Sequence, residues 1–289
     1  MIQNSSMLVD LNISVWTGRK MDKKVSEEID ASKGTHARAG NYHKKLLAGT
    51  QKLDELSKLV NKIRTWHYEQ TLPWSDGGSR LLPMANFFDY KATLGDYQTQ
   101  YEEAVAEFLS DYPTLVTAAA FQLGDLFDGS EYPDANELRD KFKFKYVFLP
   151  VPDVGDFRVE VGEAYKQDLK EQYESFYQTK LNDAMSDAWG RLHECLNTMS
   201  ERLTSLPTPR ILKDGTEVYT QVFRDSLVGN AVQLCDLLSK LNVTADPKLE
   251  TCRKKLEIAL TNVSPGELRE DDDLRLDVKS KVDEILSMF

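Results

Sequence analysis

Cysteine is scarce in this chain of 289 residues: there are three cysteines, and they are widely separated. An odd number cannot pair completely within one chain, and each of the three lies in an apolar pattern typical of a helix. We therefore expect free thiols and a reducing compartment. A chain of this length can bury a sufficient core without disulfides or a structural metal.

Long apolar runs are also lacking. No segment approaches the roughly 18 consecutive apolar residues that a membrane-spanning helix requires. The first ten residues do not combine a basic region with a following apolar region, as a secretory signal would. We therefore expect no membrane contact and a protein that stays in the compartment where it is made.

Motifs for common catalytic chemistry are missing as well. The four histidines show no HExxH spacing, no CxxC accompanies them, and neither GxxxxGK[ST] nor GxGxxG occurs. His193, Glu194 and Cys195 are the nearest approach to a reactive cluster, but adjacent side chains on a helix point about 100° apart. Asp183 and Asp187 share a helix face, as solvated carboxylates often do. We expect no cofactor, no metal and no enzymatic activity.

Negative charge is in excess, and the charged residues are unevenly distributed along the chain. The net charge of −11 disfavours general attraction to nucleic acids or anionic membranes. Residues 1–70 carry 12 Lys and Arg against 8 Asp and Glu, whereas residues 71–140 carry 3 against 13. The asymmetry indicates either two solvated helix faces, an acidic face for a basic partner, or head-to-tail self-association.

Helical periodicity dominates the chain. The longest predicted helix covers 163–206, contains no proline and would be about 60 Å long at ~1.5 Å per residue. Such a helix is typical of an antiparallel arm or a subunit contact. The Tyr112-Pro113 pair is expected to interrupt another long helix. The other predicted helices are 21–31, 41–70, 84–109, a continuation to 127, 133–141, 218–241, 247–260 and 272–289.

Alternation of apolar and polar residues predicts a small β element. A first strand is expected at 7–16, and a hairpin at 142–161 with its turn near Pro152. The first strand is the natural third partner of that hairpin, because an isolated hairpin is marginally stable. The predicted fold is mainly α: a long-helix bundle with an antiparallel helical arm and a small two- to three-stranded β element. We expect an α+β domain at 1–162 and a helical domain at 163–289.

Two groups of basic residues are candidates for contact with nucleic acid. Aromatic residues interleave the second group, which resembles the stacking platforms of single-strand binders. On a strand, however, the alternation places these aromatics on the face opposite the lysines. The candidates are Arg38, Lys44 and Lys45, and then Lys141, Lys143 and Lys145.

Six short stretches carry a resemblance to known proteins: TLPW at 71–74, RLLP at 80–83, LGDLF at 123–127, YP at 132–133, LPVPD at 149–153 and DFRV at 156–159. In these, the chain resembles a family of uncharacterised proteins encoded by tailed bacteriophages, over about residues 45 to 162. The resemblance implies a phage origin and action in the host cytoplasm, and brings no known site. Phage accessory proteins without catalytic motifs commonly bind host defence or replication machinery.

Our hypothesis is a non-enzymatic, oligomeric phage protein that acts by protein–protein contact, as a host-takeover or anti-defence factor. The alternative is a nucleic-acid-handling protein, such as a single-strand binding or annealing factor, and an enzyme with an unfamiliar site is a third possibility. Contacts between copies are expected from helix 163–206 and from the acidic 71–140 region meeting the basic N-terminal block. We expect Trp74 to be mostly buried. The candidate interface residues are Trp74, Arg80, Tyr173, Phe176 and Trp189.

Overall fold

A computed structural model describes residues 5–152, 163–204, 209–211, 217–219 and 223–289. In chain order the helices are α1 (Lys23–Ser32), α2 (Lys52–Gln70), α3 (Phe87–Leu123), α4 (Ala135–Arg139), α5 (Glu163–Thr204), α6 (Ser226–Leu241), α7 (Pro247–Leu260), α8 (Pro265–Glu270) and α9 (Asp272–Leu286). The strands are β1 (Ser6–Ser14), β2 (Arg19–Asp22), β3 (Tyr42–Lys45), β4 (Leu72–Pro73), β5 (Arg80–Pro83), β6 (Lys143–Pro150), β7 (Pro209–Ile211) and β8 (Glu217–Tyr219). The predicted mainly α fold with one very long helix is confirmed.

The chain divides into two compact units, each built from separate segments. Unit 1 contains Met1–Asp10, Glu69–Phe88 and Phe148–Phe289, and unit 2 contains Leu11–Tyr68 and Asp89–Val147. This division differs from the predicted boundary between residues 162 and 163, because sequence order does not reveal which distant segments share a core.

The β structure is larger than predicted. One sheet has four strands in the order β4-β5-β1-β6, and Ser6 to Val9 of β1 pair antiparallel with β5. The predicted neighbours, β1 and the first strand of the 142–161 hairpin, do lie side by side. The predicted second hairpin strand lies outside the described residues. β2 and β3 form a separate two-stranded antiparallel ribbon, and β7 pairs with β8.

Unit 1 has a core formed by α5 to α9 and the sheet. Half of α5, from Ala184 to Leu203, contributes seven buried side chains at helical spacing, and this half packs against α9 and α6. Leu8, Leu72 and Leu81 from the strands join the same core. Each helix therefore buries one apolar face.

Unit 2 is organised around α2 and α3, whose buried faces form one cluster. The predicted helix at 41–70 begins only at Lys52, and β3 occupies the first part of that range. The predicted interruption at Tyr112-Pro113 is wrong, since α3 continues through Pro113. Tyr112 and Ala119 are both buried on either side of the proline, so packing offsets the backbone hydrogen bond that proline cannot donate.

Candidate functional site

The first half of α5 differs from the second in having no buried side chain among its described residues. From residue 165 to residue 183, every described side chain is exposed or half-buried. Tyr165 is 72% exposed and Phe176 is 51% exposed, which is unusual for aromatic residues.

These aromatics lie on one face, and that face points away from the core. Eleven residues separate Tyr165 from Phe176, which at about 100° per residue leaves them only about 20° apart around the helix. Leu169 lies between them, about 40° from Tyr165. Leu192, in the core of unit 1, lies about 160° from Phe176 on the same scale. We call Tyr165, Leu169 and Phe176 the outer stripe of α5.

Polar contacts fix the surroundings of the outer stripe. The ammonium of Lys180 lies 5.7 Å from the centre of the Phe176 ring. The same ammonium is 3.4 Å from Asp76 and 3.8 Å from Asp183. The hydroxyl of Tyr173 donates to the Pro152 carbonyl at 3.1 Å, so Tyr173 is directed to the side of the stripe.

Trp74 and Arg80, two candidate interface residues, have structural roles. Trp74 is 6% exposed, and its ring packs edge-on against Tyr177 with centroids 5.4 Å apart. Its predicted burial is confirmed, and its side chain is not available at the surface. Arg80 donates from Nε to the Thr71 hydroxyl at 2.7 Å, which joins β5 to the end of α2.

Trp189, a third candidate, is also held internally. Its indole N–H donates to the Asp246 carboxylate at 3.0 Å, and its ring meets Phe289 edge-on at 5.0 Å. Burial alone would raise the pKa of Asp246. The hydrogen bonds from Trp189 and from the backbone of Lys248 and Leu249 outweigh this effect and lower the pKa.

Lys44, a candidate for nucleic-acid contact, is buried instead. Its ammonium donates to the Leu126 carbonyl at 2.7 Å and lies 2.8 Å from Glu131 and 3.4 Å from Asp22. Burial alone would lower the pKa of Lys44, but the bonds and attraction of Glu131 and Asp22 raise it above 10.5. The prediction that Lys44 contacts a nucleic acid is therefore wrong.

The other basic candidates remain at the surface. Arg38 is 3.9 Å from Glu27, and Lys45 is 3.8 Å from Asp54; all four side chains are largely exposed. The exposed lysines on and beside β6 are Lys141, Lys143 and Lys145.

The aromatics between these lysines do not form a stacking platform. Phe142 is buried against Phe108, with ring centroids 5.6 Å apart, and Phe144 packs on Tyr101 at 5.4 Å. These aromatics belong to the core of unit 2, as the strand alternation predicts.

Part of the predicted charge complementarity is satisfied within the chain. Within unit 2, two lysines of the basic segment 1–70 form ion pairs with the acidic segment 71–140. Lys44 pairs with Glu131, and Lys52 pairs with Glu107 and Asp111. These ion pairs use charges that we expected to join separate copies, so they give no support to head-to-tail contact.

The thiols and carboxylates that could take part in catalysis have ordinary structural environments. Burial raises the pKa of the Cys195 thiol to about 11 and that of Cys235 to about 12, so both remain protonated at neutral pH. Asp187 is paired with Arg191 at 2.7 Å. The described part of the chain holds no cluster of three or more His, Cys, Asp or Glu side chains suited to a metal ion.

Unit 2 also contains an open groove of about 590 Å³. Most of the residues that line the groove are apolar, and Glu102 and Arg139 also belong to its lining. Glu102 accepts a hydrogen bond from Gln98 at 2.7 Å, and the Tyr101 hydroxyl donates to the Ser14 carbonyl at 2.7 Å. Two of the polar groups around the groove are thus already engaged.

The sequence predicted that Phe176 and Tyr173 both lie at an interface, but it did not indicate that only Phe176 faces outward. Their spacing of three residues allows a common face, and only the contact with Pro152 sets Tyr173 aside. The β2–β3 ribbon was missed altogether, since its strands are short and a helix lies between them.

Among the described residues, no helix has the length and hydropathy needed to cross a membrane. Comparison with protein-family models, curated protein sequences and solved structures finds no match for this chain.

Proposed function

We propose that this chain is a non-enzymatic binding protein that acts by protein–protein contact, and that the outer stripe of α5 is its contact surface. The observation that carries the proposal is the exposure of Tyr165 and Phe176, at 72% and 51%, on a single helix face turned away from the core.

Aromatic side chains contribute strongly to protein interfaces. Each buries about 150–250 Å² when fully covered, at about 25 cal/mol per Å² of apolar surface. Single exposed aromatics are common on monomers, but an aligned set on a rigid element favours an interaction site. Because α5 is anchored in the core by its second half, the stripe is held in place before any partner arrives.

A second copy of the chain is the first partner that we propose. A symmetric contact places the same stripe on both copies, so each Phe176 ring is covered by apolar atoms of the other copy. The phage resemblance then suggests a further host or phage protein as the target. Host takeover or inhibition of a defence system in the host cytoplasm is the setting that this resemblance favours.

Light scattering on the purified protein tests the proposal. The wild type is expected to exceed the monomer mass of 32.9 kDa at micromolar concentration and physiological salt. Tyr165→Ala/Phe176→Ala is expected to give the monomer mass, with helicity unchanged because alanine favours helix. Ile258→Ala, which removes another exposed apolar side chain of unit 1, is the matched control and should leave the mass unchanged.

Two results would contradict the proposal. A monomer mass for the wild type would contradict the proposed self-association. If the double variant also captured the same host proteins as the wild type in a pull-down, the stripe would have no binding role at all.

A further inference from the structure

The β2–β3 ribbon of unit 2 places like charges directly opposite each other. Its register pairs Arg19 with Lys45 and Lys20 with Lys44. Side chains opposite each other in an antiparallel pair have Cβ atoms about 4.5–5.5 Å apart, and like charges there destabilise the pairing. Both pairs therefore require nearby negative charge.

The structure places several negative charges beside the Lys20–Lys44 pair. Lys44 contacts Glu131 and Asp22, as described above. Hydrogen bonds from Ser130, with further attraction from Lys44 and Lys20, also lower the pKa of Asp128. The Lys20–Lys44 pair thus lies within a group of carboxylates.

The Arg19–Lys45 pair has no comparable compensation. Both side chains are exposed, and Lys45 has only the exposed Asp54 at 3.8 Å. Arg19 makes no ion pair with any residue that the structure describes. Two cations are therefore held side by side at the surface with one weak counter-charge.

More cations continue the basic surface at the other end of the ribbon. Lys23 and Lys24 are exposed and begin α1, and no ion pair to either occurs in the described ranges. Lys23 is four residue steps beyond Arg19, which is about 13 Å along an extended strand. The neighbouring Asp22 carboxylate is already used, since it accepts from Val25 N and pairs with Lys44. Glu27 and Glu28 lie one turn further along α1.

We propose that this ribbon binds the phosphodiester backbone of a nucleic acid. Arg19 and Lys45 hold one phosphate between them, and Lys23 and Lys24 contact the backbone further along. A single carboxylate of a protein partner cannot reach both ends of the ribbon, whereas a nucleic acid strand offers a charge every ~3.4 Å. The ribbon also has the width that the major groove of a duplex admits.

This site is independent of the outer stripe of α5. It also differs from the nucleic-acid contact expected from the sequence, because Lys45 is the one residue that it shares with the six basic candidates. The net charge of −11 opposes general binding of polyanions, so binding must come from this local surface.

Fluorescence anisotropy of the full chain with labelled single-stranded and double-stranded DNA, at several salt concentrations, tests the proposal. Binding is expected to weaken linearly on a logarithmic salt scale, with a slope of about −0.7 to −0.9 per phosphate contact. Arg19→Ala/Lys45→Ala is expected to weaken binding and to reduce the magnitude of that slope by about 1, because the two cations share one phosphate. Stronger binding of one DNA form identifies the form that the ribbon takes.

Matched variants separate this site from general charge effects. Lys58→Ala/Lys62→Ala removes two exposed lysines from α2 of the same unit and should leave the slope unchanged. The Arg19→Ala/Lys45→Ala variant should keep or raise the melting temperature, because it removes a repulsion. Tyr165→Ala/Phe176→Ala should bind DNA as the wild type does, whatever its oligomeric state.

Three results would overturn the inference: no DNA binding by the wild type, equal losses in the two lysine-containing double variants, or equally tight binding of polyglutamate. The last result would assign the ribbon to an acidic protein partner.

Discussion

At the scale of single residues, Asp246 connects two helices of unit 1 through one carboxylate. It caps α7 by accepting from the backbone of Lys248 and Leu249, at 2.8 Å and 3.4 Å, and it also accepts from the Trp189 indole of α5. A carboxylate with three donors is stabilised in its charged form. This explains why Trp189 serves the core although the sequence suggested an interface.

The lowered pKa of Asp246 predicts a specific loss of stability in acid. A carboxyl group whose pKa is lower in the folded chain than in the unfolded chain stabilises the folded chain at pH values above its unfolded pKa, which is near 3.8. This contribution to stability disappears as the pH falls through the folded pKa. Asp246→Asn should therefore lower the free energy of unfolding by about 1–3 kcal/mol at neutral pH, with a smaller difference at about pH 3.

Urea denaturation at the two pH values measures this effect. Asp236→Asn, an exposed position on α6, is the control and should change nothing. A loss of stability in Asp246→Asn that is the same at both pH values would show that the charge of Asp246 does not matter.

At the scale of elements, α3 maintains a helix across a residue that disfavours it. Pro113 is exposed and removes one backbone hydrogen bond, while its neighbour Tyr112 is buried and donates to the Pro133 carbonyl at 3.0 Å. Pro113→Ala should raise the free energy of unfolding by about 1–3 kcal/mol, because the missing N–H is restored. Thermal and urea denaturation check this.

Thr114→Ala, at the adjacent exposed position, serves as the control and should have little effect. A loss of stability in Pro113→Ala would mean that the packing of Tyr112 requires the backbone shape that proline imposes.

The long amphipathic helices could be predicted from sequence, and the short elements could not. α5 and α7 were predicted to within about two residues, because their apolar side chains recur over many turns. β4 has two residues, and β5 has four, so neither offers enough alternation to separate a strand from a turn. β3 was assigned to a helix because Leu46 continues the apolar spacing of α2 in sequence.

The candidate site was only partly predictable for a similar reason. Periodicity predicted that α5 has more apolar positions than one core can cover, and Phe176 was named on that basis. Which positions face outward depends on α6 and α9, which are distant in sequence. The opposed pair of Arg19 and Lys45 depends on strand register, and no local pattern in the sequence encodes that register.

At the scale of the whole molecule, the chain passes between the two units at four points, after residues 10, 68, 88 and 147. The buried residues of the unit 2 core lie between Ile13 and Phe142, and the half-buried residues packed against them extend from Leu11 to Phe144. The core of unit 1 requires Leu8 and Trp74 as well as residues up to Ile285. One contiguous fragment can therefore contain the whole core of unit 2. Any contiguous fragment that contains the whole core of unit 1 must also contain unit 2.

Two fragments test this arrangement. Residues 11–147 are expected to unfold cooperatively and to retain near-ultraviolet circular dichroism. Residues 163–289 lack the buried side chains of the strands, so they should remain helical but lose the near-ultraviolet signal, as loosely packed states do. Native-like behaviour of fragment 163–289 would show that the strands are dispensable for that core.

The four crossings also set an order of events during translation. The core residues of unit 2 are all available once Phe144 has left the ribosome, whereas Leu8 must wait for Ile285. At about 5–20 residues per second, the interval between the synthesis of Leu8 and that of Ile285 lasts roughly 14–55 s. The apolar faces of β1, β4 and β5 are uncovered for much of that time. Nascent-chain chaperones that shield apolar strands should therefore act mainly on the early segments of unit 1.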